Sequence, residues 1–325
     1  ERGISCIYIS HKLAEVFRIA DRITVLRDGQ SVATLDTAHT DRAEVIRYMV
    51  GREITEFYPR QAGPPGEVVL QVKGLTVTAA GRPRAVLRDV SFELRAGEVL
   101  GVGGLMGSGR SELLMHLFGA FGQRRAGYVT LRGRPLAAAS PAEAIARGLM
   151  LVSEDRKRYG LLLQQDIGFN LSLATLPRLT RGGLLDGNAE FARNKAMFDS
   201  LGVRAPSLET IVGNLSGGNQ QKVVLGKALM TEPAVILFDE PTRGIDVGAK
   251  TDVYGLINRM TAEGKAVLLV SSELPELMGM SDRILILSQG RVGGEFRREE
   301  ATQEQLLAAA MAHHETTPAK HPSRI

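Results

Sequence analysis

The chain has 325 residues, 44% of them hydrophobic and 23% charged, with Lys+Arg 40 against Asp+Glu 36 and a net charge of +4 at pH 7. That balance fits a globular protein of about two domains and excludes a long disordered chain. No apolar run approaches the roughly 20 residues of a membrane helix, no charged-then-apolar leader opens the chain, and the single cysteine, Cys6, excludes an internal disulfide and fits a reducing compartment.

The mild basic excess permits an anionic ligand without calling for nucleic acid. The first residue, Glu1 rather than Met, predicts a piece of something longer. From Gly3 to Gly29 the pattern reads strand, helix, strand, turn. Cys6 to Ile9 is an apolar run of the kind buried on both faces of a parallel sheet, with Cys6 as a small apolar side chain, and Asp28-Gly29 turns a hairpin. The same pattern returns from Gly264 to Gly290, where Ser272 aligns with His11 at a shift of 261 residues. Identities fall at Ser10/Ser271, Leu13/Leu274, Glu15/Glu276, Asp21/Asp282, Arg22/Arg283, Ile23/Ile284 and Leu26/Leu287, and a closing helix follows around Val45-Ile46 and Leu306-Leu307. Residues 1–58 are therefore expected to be the C-terminal end of a first domain, and 68–311 a complete second copy. Between them, 59–67 is a stiff, polar linker in which Pro59, Gly63, Pro64, Pro65 and Gly66 stand. Strands are predicted at Val68 to Val72 and Leu87 to Leu94, and about 160–212 reads as an insert packed beside the main sheet. The segment 312–325 is expected to fray, with His313, His314 and His321 as tail residues lacking metal-ligand spacing.

Three stretches carry chemistry. The strand ending at Gly104 runs into Leu-Met-Gly107-Ser108-Gly109-Arg110-Ser111 and a helix, the context of a phosphate-binding loop with Arg110 where lysine is expected. Glycines let backbone N–H groups curl around phosphate oxygens, the helix N-terminus adds positive partial charge, and the Ser111 hydroxyl is placed to ligate Mg²⁺. The apolar run from Val235 ends in Asp239-Glu240, delivering one acid to a metal site and a second to polarise an attacking water. Ser216-Gly217-Gly218 opens a helix over Gln220 to Met230 and forms a second anion cradle. The cluster Arg156-Lys157-Arg158 reads either as a solvated face or as an approach to nucleotide or a membrane partner, and Met106, Met230 and Met260 read as core filler.

In this order the three stretches resemble the ATP-binding subunits of ATP-binding cassette transporters, most closely the tandem-cassette subunits of monosaccharide importers of ribose, galactose and xylose type. GLMGSGRSEL, Ser153-Glu-Asp-Arg-Lys-Arg158, LSGGNQQK and FDEPTRGIDVGAK carry the match. The resemblance implies an α/β P-loop NTPase cassette with a RecA-like core, an antiparallel β subdomain and a helical subdomain that bears the LSGGNQQK signature. It implies ATP and Mg²⁺ as ligands. It further implies membrane permease subunits, a periplasmic sugar-binding protein reached through them and a missing N-terminal cassette as partners, without nucleic acid. The implied location is peripheral, on the cytoplasmic face of a bacterial inner membrane, with a docking surface near Glu154 to Gln165.

Against that family pattern the sequence departs in four places. Leu75 to Gly81 offers no aromatic to stack on adenine, Arg110 replaces the loop lysine, Glu154 stands where a glutamine senses Mg²⁺ and water, and Ser272 stands where a switch histidine belongs. An anion at Glu154 requires Mg²⁺ or Arg156 to offset it. The first copy retains the histidine as His11. The resemblance thus implies a degenerate site of Gly104, Gly107, Ser108, Gly109, Arg110, Ser111, Glu154, Asp239, Glu240 and Ser272, with Ser111 and Asp239 holding metal and Glu240 as its catalytic carboxylate. Ser216, Gly217 and Gly218 instead close over the first cassette's ATP, together with His11. A non-hydrolysing regulatory cassette and a cassette protein acting on nucleic acid or ribosomes stay open as alternatives.

Overall fold

The computed structural model describes residues 4–10, 13–27, 29–50, 58–79, 81, 84–137 and 139–313. The first copy of the repeat comprises α1 (Leu13–Ile19), β1 (Arg22–Arg27), β2 (Gln30–Asp36) and α2 (Arg42–Val50). Then come β3 (Val68–Thr78), β4 (Ala85–Arg95), β5 (Val99–Gly104), α3 (Arg110–Leu117), β6 (Gln123–Leu131), β7 (Arg134–Pro135), α4 (Pro141–Ala146) and β8 (Leu149–Val152). The helical part holds α5 (Ile167–Ser172), β9 (Thr180–Arg181), β10 (Leu184–Leu185), α6 (Gly187–Leu201) and α7 (Gly217–Met230). The chain closes with β11 (Val235–Asp239), α8 (Val247–Ala262), β12 (Ala266–Val270), α9 (Leu274–Met280), β13 (Arg283–Ser288), β14 (Arg291–Arg297) and α10 (Gln303–Met311).

Uninterrupted apolar runs make the central sheet. Every residue of β11 and β12 is buried, as strands covered on both faces must be. The six strands lie in the order β14-β13-β5-β12-β11-β8, parallel except for the edge strand β14. On one face, a four-stranded antiparallel sheet in the order β4-β3-β6-β7 shares a core with α3, through Leu75, Leu87 and Leu113. On the other, α5, α6, α7 and α8 pack through Leu171, Leu201, Val224 and Ile257. Here the architecture is an α/β P-loop fold with an antiparallel β layer and a helical layer. The carboxyl ends of β5, β11 and β12 therefore converge where ligands bind in such sheets. Among the described residues no helix is long and apolar enough to cross a membrane.

The 261-residue shift holds in three dimensions. It carries α1 onto α9, β1 and β2 onto β13 and β14, and α2 onto α10. Even the irregularity repeats: pairing slips between Val25 and Leu26 in one hairpin and between Ile286 and Leu287 in the other. Gly29 and Gly290 both sit at φ 77, a left-handed conformation that favours glycine. Their surroundings differ. A methyl on Gly29 meets no described atom within 4 Å, whereas one on Gly290 is driven into the carbonyl of Val86. Gly29→Ala should cost about 1 kcal/mol from backbone conformation alone, and Gly290→Ala about 2 kcal/mol more from overpacking. Denaturant melts of the two variants check this, and equal losses would refute the contact.

Three expectations need correction. Residues 4–10 form no strand, Ile7 and Ile9 are 95% and 93% exposed, and Cys6 is exposed. No described strand pairs with this segment, while its counterpart β12 is sandwiched between β11 and β5; an apolar run is buried only when neighbours flank it. The linker is bolted down at its start, where Arg60 has a side chain of 0% exposure ion-paired to Asp282. Its far end is held by Gly66 N–H on the Ala96 carbonyl and Ala96 N–H on that of Glu67. Finally, His313 is docked, its N–H donating to Ser288 Oγ at 3.1 Å and its ring meeting the Val292 carbonyl at 3.1 Å. His314 and His321 lie outside the described residues.

Candidate functional site

The turn between β5 and α3 is built to leave amides free. Gly104 takes φ 148, and Gly107 and Gly109 take φ 78 and 100; a side chain on Gly104 would run into the Leu287 carbonyl. Gly109 is the N-cap of α3 with no side-chain cap, so the first-turn N–H groups keep their capacity for an anion. Ser108 N–H donates to the Leu105 carbonyl at 3.0 Å, and the Ser108 carbonyl accepts from Gly290 N–H at 2.9 Å, which ties the loop to the β13–β14 turn. Ser108 Oγ is buried without a partner, a polar atom awaiting one. Met106 at the loop tip is 98% exposed and is not core filler, because the curl that turns amides inward turns this side chain out. Met230 and Met260 are buried.

β11 delivers two acids beside this loop. Asp239 is 5% exposed, and Ser111 Oγ donates to its Oδ1 at 3.2 Å. Glu240, at φ 50, accepts from Ser272 Oγ at 3.1 Å. Arg110 donates to the Ser271 carbonyl at 3.0 Å and lies 3.9 Å from Glu240 Oε1. Two hard oxygens on Ser111 and Asp239, next to a phosphate-type cradle with an orphaned hydroxyl, fit Mg²⁺, which takes one or two protein oxygens and completes its shell with phosphate and water.

Burial pushes both carboxyls up. Asp239 lies above its ordinary 3.8 despite the Ser111 hydrogen bond and the Arg110 charge. Glu240 lies above 4.5 by burial, despite hydrogen bonds from Ser272 and the charge of Arg110. A carboxyl with a raised folded-state pKa binds more protons folded than unfolded, so its contribution to stability is present below the unfolded value and is lost as pH rises through the folded one. As pH rises above the ordinary value of 3.8, the ligand-free protein should therefore lose stability relative to Asp239→Asn, which has no carboxyl to ionise. Thermal melts at a series of pH values are the check, with the variant's Tm advantage growing as pH rises; parallel curves would contradict the burial effect.

Glu154, just beyond β8, is paired with Arg243 and not with Arg156. Arg156 turns away, donating to the carbonyls of Arg243 at 3.1 Å and Gly244 at 3.5 Å, and its Nη2 lies 2.9 Å from where a Gly217 Cβ would be. The segment 156–160 forms one π-type turn, and Lys227 of α7 donates to the Gly160 carbonyl. That lysine is pushed down by burial. The cluster thus divides: Arg156 is part of the site's framework, and Lys157 and Arg158 face solvent.

Ser216 caps α7, its Oγ accepting from Asn219 N at 3.4 Å and from Asn219 Nδ2 at 3.0 Å. The helix starts at Gly217, earlier than the sequence reading places it, because the cap resides on Ser216. The structure thus gathers Gly104, Gly107, Ser108, Gly109, Arg110, Ser111, Asp239, Glu240 and Ser272 around one turn. Ser216, Gly217 and Gly218 form a separate place reached through Arg156 and the 242–244 turn. His11 lies outside the described residues. Sequence reasoning missed Arg243, although it stands inside FDEPTRGIDVGAK.

Comparison with known proteins adds the following. Residues 87–243 match the ABC transporter family model. The chain is 50% identical over 310 residues to the xylose import ATP-binding protein XylG of Moorella thermoacetica, covering 95% of this chain and 61% of that protein. It is 50% identical over 309 residues to the ribose import ATP-binding protein RbsA 2 of Rubrobacter xylanophilus, covering 95% and 58%. The chain therefore spans about three fifths of these relatives' length. Among solved structures, an ATP-binding subunit of an ABC transporter superposes with TM-score 0.60 at 25% identity, covering 75% of this chain and 99% of that one. A nucleotide-free ATP-binding cassette does so with TM-score 0.60 at 21% identity, covering 71% and 92%.

Proposed function

We propose that the chain belongs to the ABC transporter family, whose model matches residues 87–243, and that it is part of an ATP-hydrolysing subunit that energises uptake of a monosaccharide through separate membrane permease subunits. A periplasmic sugar-binding protein feeds those permeases, and the subunit sits peripherally on the cytoplasmic face of a bacterial inner membrane. Residues 1–58 end a first cassette, and 59–67 link it to a second at 68–311. The observation that carries the reading is the convergence of the uncapped α3 N-terminus, the Ser111–Asp239 pair and Glu240 on one turn.

In this reading the triphosphate lies on the amides of Gly107 to Ser111, with Ser111 and Asp239 holding Mg²⁺, which neutralises phosphate charge when bound. Water attacks the γ-phosphorus in line, the bond to the bridging β,γ-oxygen breaks, and ADP and inorganic phosphate leave; the water's proton passes to a carboxylate or to phosphate. In the second cassette's own pocket this step is impaired. Glu240 is already engaged by Ser272 and close to Arg110, and Arg110 is itself anchored on the Ser271 carbonyl. A forked guanidinium so committed does not replace a lysine that follows the transferring phosphoryl group. The first cassette, with His11 and the second cassette's Ser216, Gly217 and Gly218 closed over its ATP, is the competent one.

Equilibrium binding of ATP to the full-length protein set beside steady-state turnover tests this. Two nucleotides bound per chain with one turned over are expected; equal turnover at both sites would sink the asymmetry, and absence of ATP binding would sink the function.

A further inference from the structure

Behind the acid pair lies a carboxylate that the reading above leaves unused. Glu276 of α9 is 0% exposed. Its Oε1 accepts from Thr242 Oγ1 at 2.6 Å and from Tyr254 OH at 2.7 Å, and its Oε2 is buried without a partner. Both donors are buried, Thr242 at 2% and Tyr254 at 1% exposure. The three residues come from different places. Thr242 is in the turn directly after Glu240, Tyr254 is on α8, and Glu276 is on the helix that begins just past Ser272.

These contacts close a ring. In front, Ser272 Oγ donates to Glu240 Oε2; behind, Thr242 donates to Glu276. Glu240 and Thr242 share one short turn, and Ser272 stands just before α9, which carries Glu276. A single joint between two segments leaves them free to pivot, whereas a joint on each side fixes their orientation. That constraint has something to hold, because Glu240 sits at φ 50, a conformation that costs a non-glycine residue about 1–2 kcal/mol and persists only where surroundings impose it. Stability alone does not call for this arrangement. A fully buried carboxylate with one oxygen unsatisfied is less favourable than a well-packed apolar side chain of similar volume. What it supplies is position, as buried polar networks behind a reactive group do.

We propose that Glu276 is a positioning residue, which through Thr242 and Tyr254 holds Glu240, Ser272 and the Arg243–Gly244 turn in the geometry that the triphosphate site requires. The inference rests on the ATP-site reading above and extends it to both nucleotide places. Arg243 and Gly244, next to Thr242, supply the carbonyls that keep Arg156 beside Gly217. One joint therefore sets the neighbours of the chain's own phosphate loop and those of the signature.

The test uses the full-length protein with Thr242→Val, which keeps the branched shape and removes the hydroxyl, Thr242→Ser, which restores it, and Glu276→Gln, which keeps the accepting Oε1. Through the Arg243 and Gly244 carbonyls that keep Arg156 beside Gly217, Thr242→Val is expected to lower kcat for ATP at least about fivefold, with KM within about twofold and Tm nearly unchanged, and to speed amide hydrogen exchange over 240–244. Thr242→Ser and Glu276→Gln are expected to stay close to wild type in all four. A Thr242→Val protein that melts lower yet keeps kcat and exchange would show a merely structural contact and overturn the proposal, as would a Thr242→Ser protein no better than Thr242→Val. Wild-type protein that does not bind ATP would overturn the functional reading and this proposal with it, an outcome distinguishable because it needs no variant.

Discussion

Arg60→Ala should destabilise the protein by about 3–5 kcal/mol, the range for removing one partner of a buried ion pair. Every guanidinium nitrogen is in use. Nε donates to Asp282 Oδ1 at 3.0 Å, and Nη2 donates to Asp282 Oδ2 at 2.5 Å and to the Gly97 carbonyl at 3.2 Å. Nη1 donates to the Gln61 carbonyl, Asn258 Oδ1 and Thr261 Oγ1 at 3.0, 3.1 and 2.8 Å. Deleting this side chain leaves Asp282, a side chain only 20% exposed, with the Val99 N–H at 2.8 Å to accept from. It also opens a void among β5, α8 and β13. For a domain of this size the loss corresponds to a fall in Tm of roughly 6–20 °C. Arg60→Lys should recover little, since an ammonium has three donors and no fork to meet both carboxylate oxygens. A fall of under about 1 kcal/mol, the value of an exposed pair, would mean that the linker is not held here. The anchor extends beyond Arg60. Tyr58 packs against Gly279 of α9 and lies 5.7 Å, ring centre to ring centre, from Tyr254, so the chain leaving the first copy is bolted to the helix that follows Ser272.

What was legible in the sequence was what short-range pattern determines. Val235 to Asp239 reads as a strand because an apolar run of that length, flanked by turns, has few other uses. The 261-residue repeat read through to the hairpin irregularities because both copies keep the residues that set pairing register. The phosphate loop was visible because its backbone path needs glycine at specific steps. Legibility stopped where burial depends on distant segments. Cys6 to Ile9 has the composition of a core strand, and its exposure follows from the absence of a described neighbour on either side. Arg60, in a Pro- and Gly-rich stretch, reads as solvated; its socket is assembled from residues 97, 258, 261 and 282. Glu154 was matched to the nearby Arg156, whereas the fold brings Arg243 to it and spends Arg156 on carbonyls. Glu276 stood in plain view as an identity with Glu15, but nothing local says that it meets Thr242 and Tyr254.

Gly217→Asp in the full-length protein should lower ATP turnover by at least about 50-fold, the scale of losing an anion-stabilising group at a reacting phosphoryl, while Glu240→Gln should lower it by no more than about twofold. The contrast follows from which ATP each residue faces under the proposed function. The glycine occupies the first helical position of α7 behind the Ser216 cap, and under the proposed function the amides there face the anion of the first cassette's ATP. An aspartate at that position puts a carboxylate where the γ-phosphate must come, and repulsion between like charges in a water-poor interface is large. The fold itself has no reason to suffer. An acidic residue in the first turn complements the helix dipole, and its Cβ would lie 2.9 Å from Arg156 Nη2, a flexible cation able to shift and pair with it. Tm should therefore hold or rise while turnover collapses, which separates an occupied anion site from misfolding. Under the proposed function Glu240 acts in the impaired pocket, and neutralising it should leave the competent site's chemistry almost intact. Steady-state phosphate release by the two variants, set beside their melting curves, reads both halves of the prediction; if Glu240→Gln were the more damaging change, the assignment of the competent site would have to be reversed.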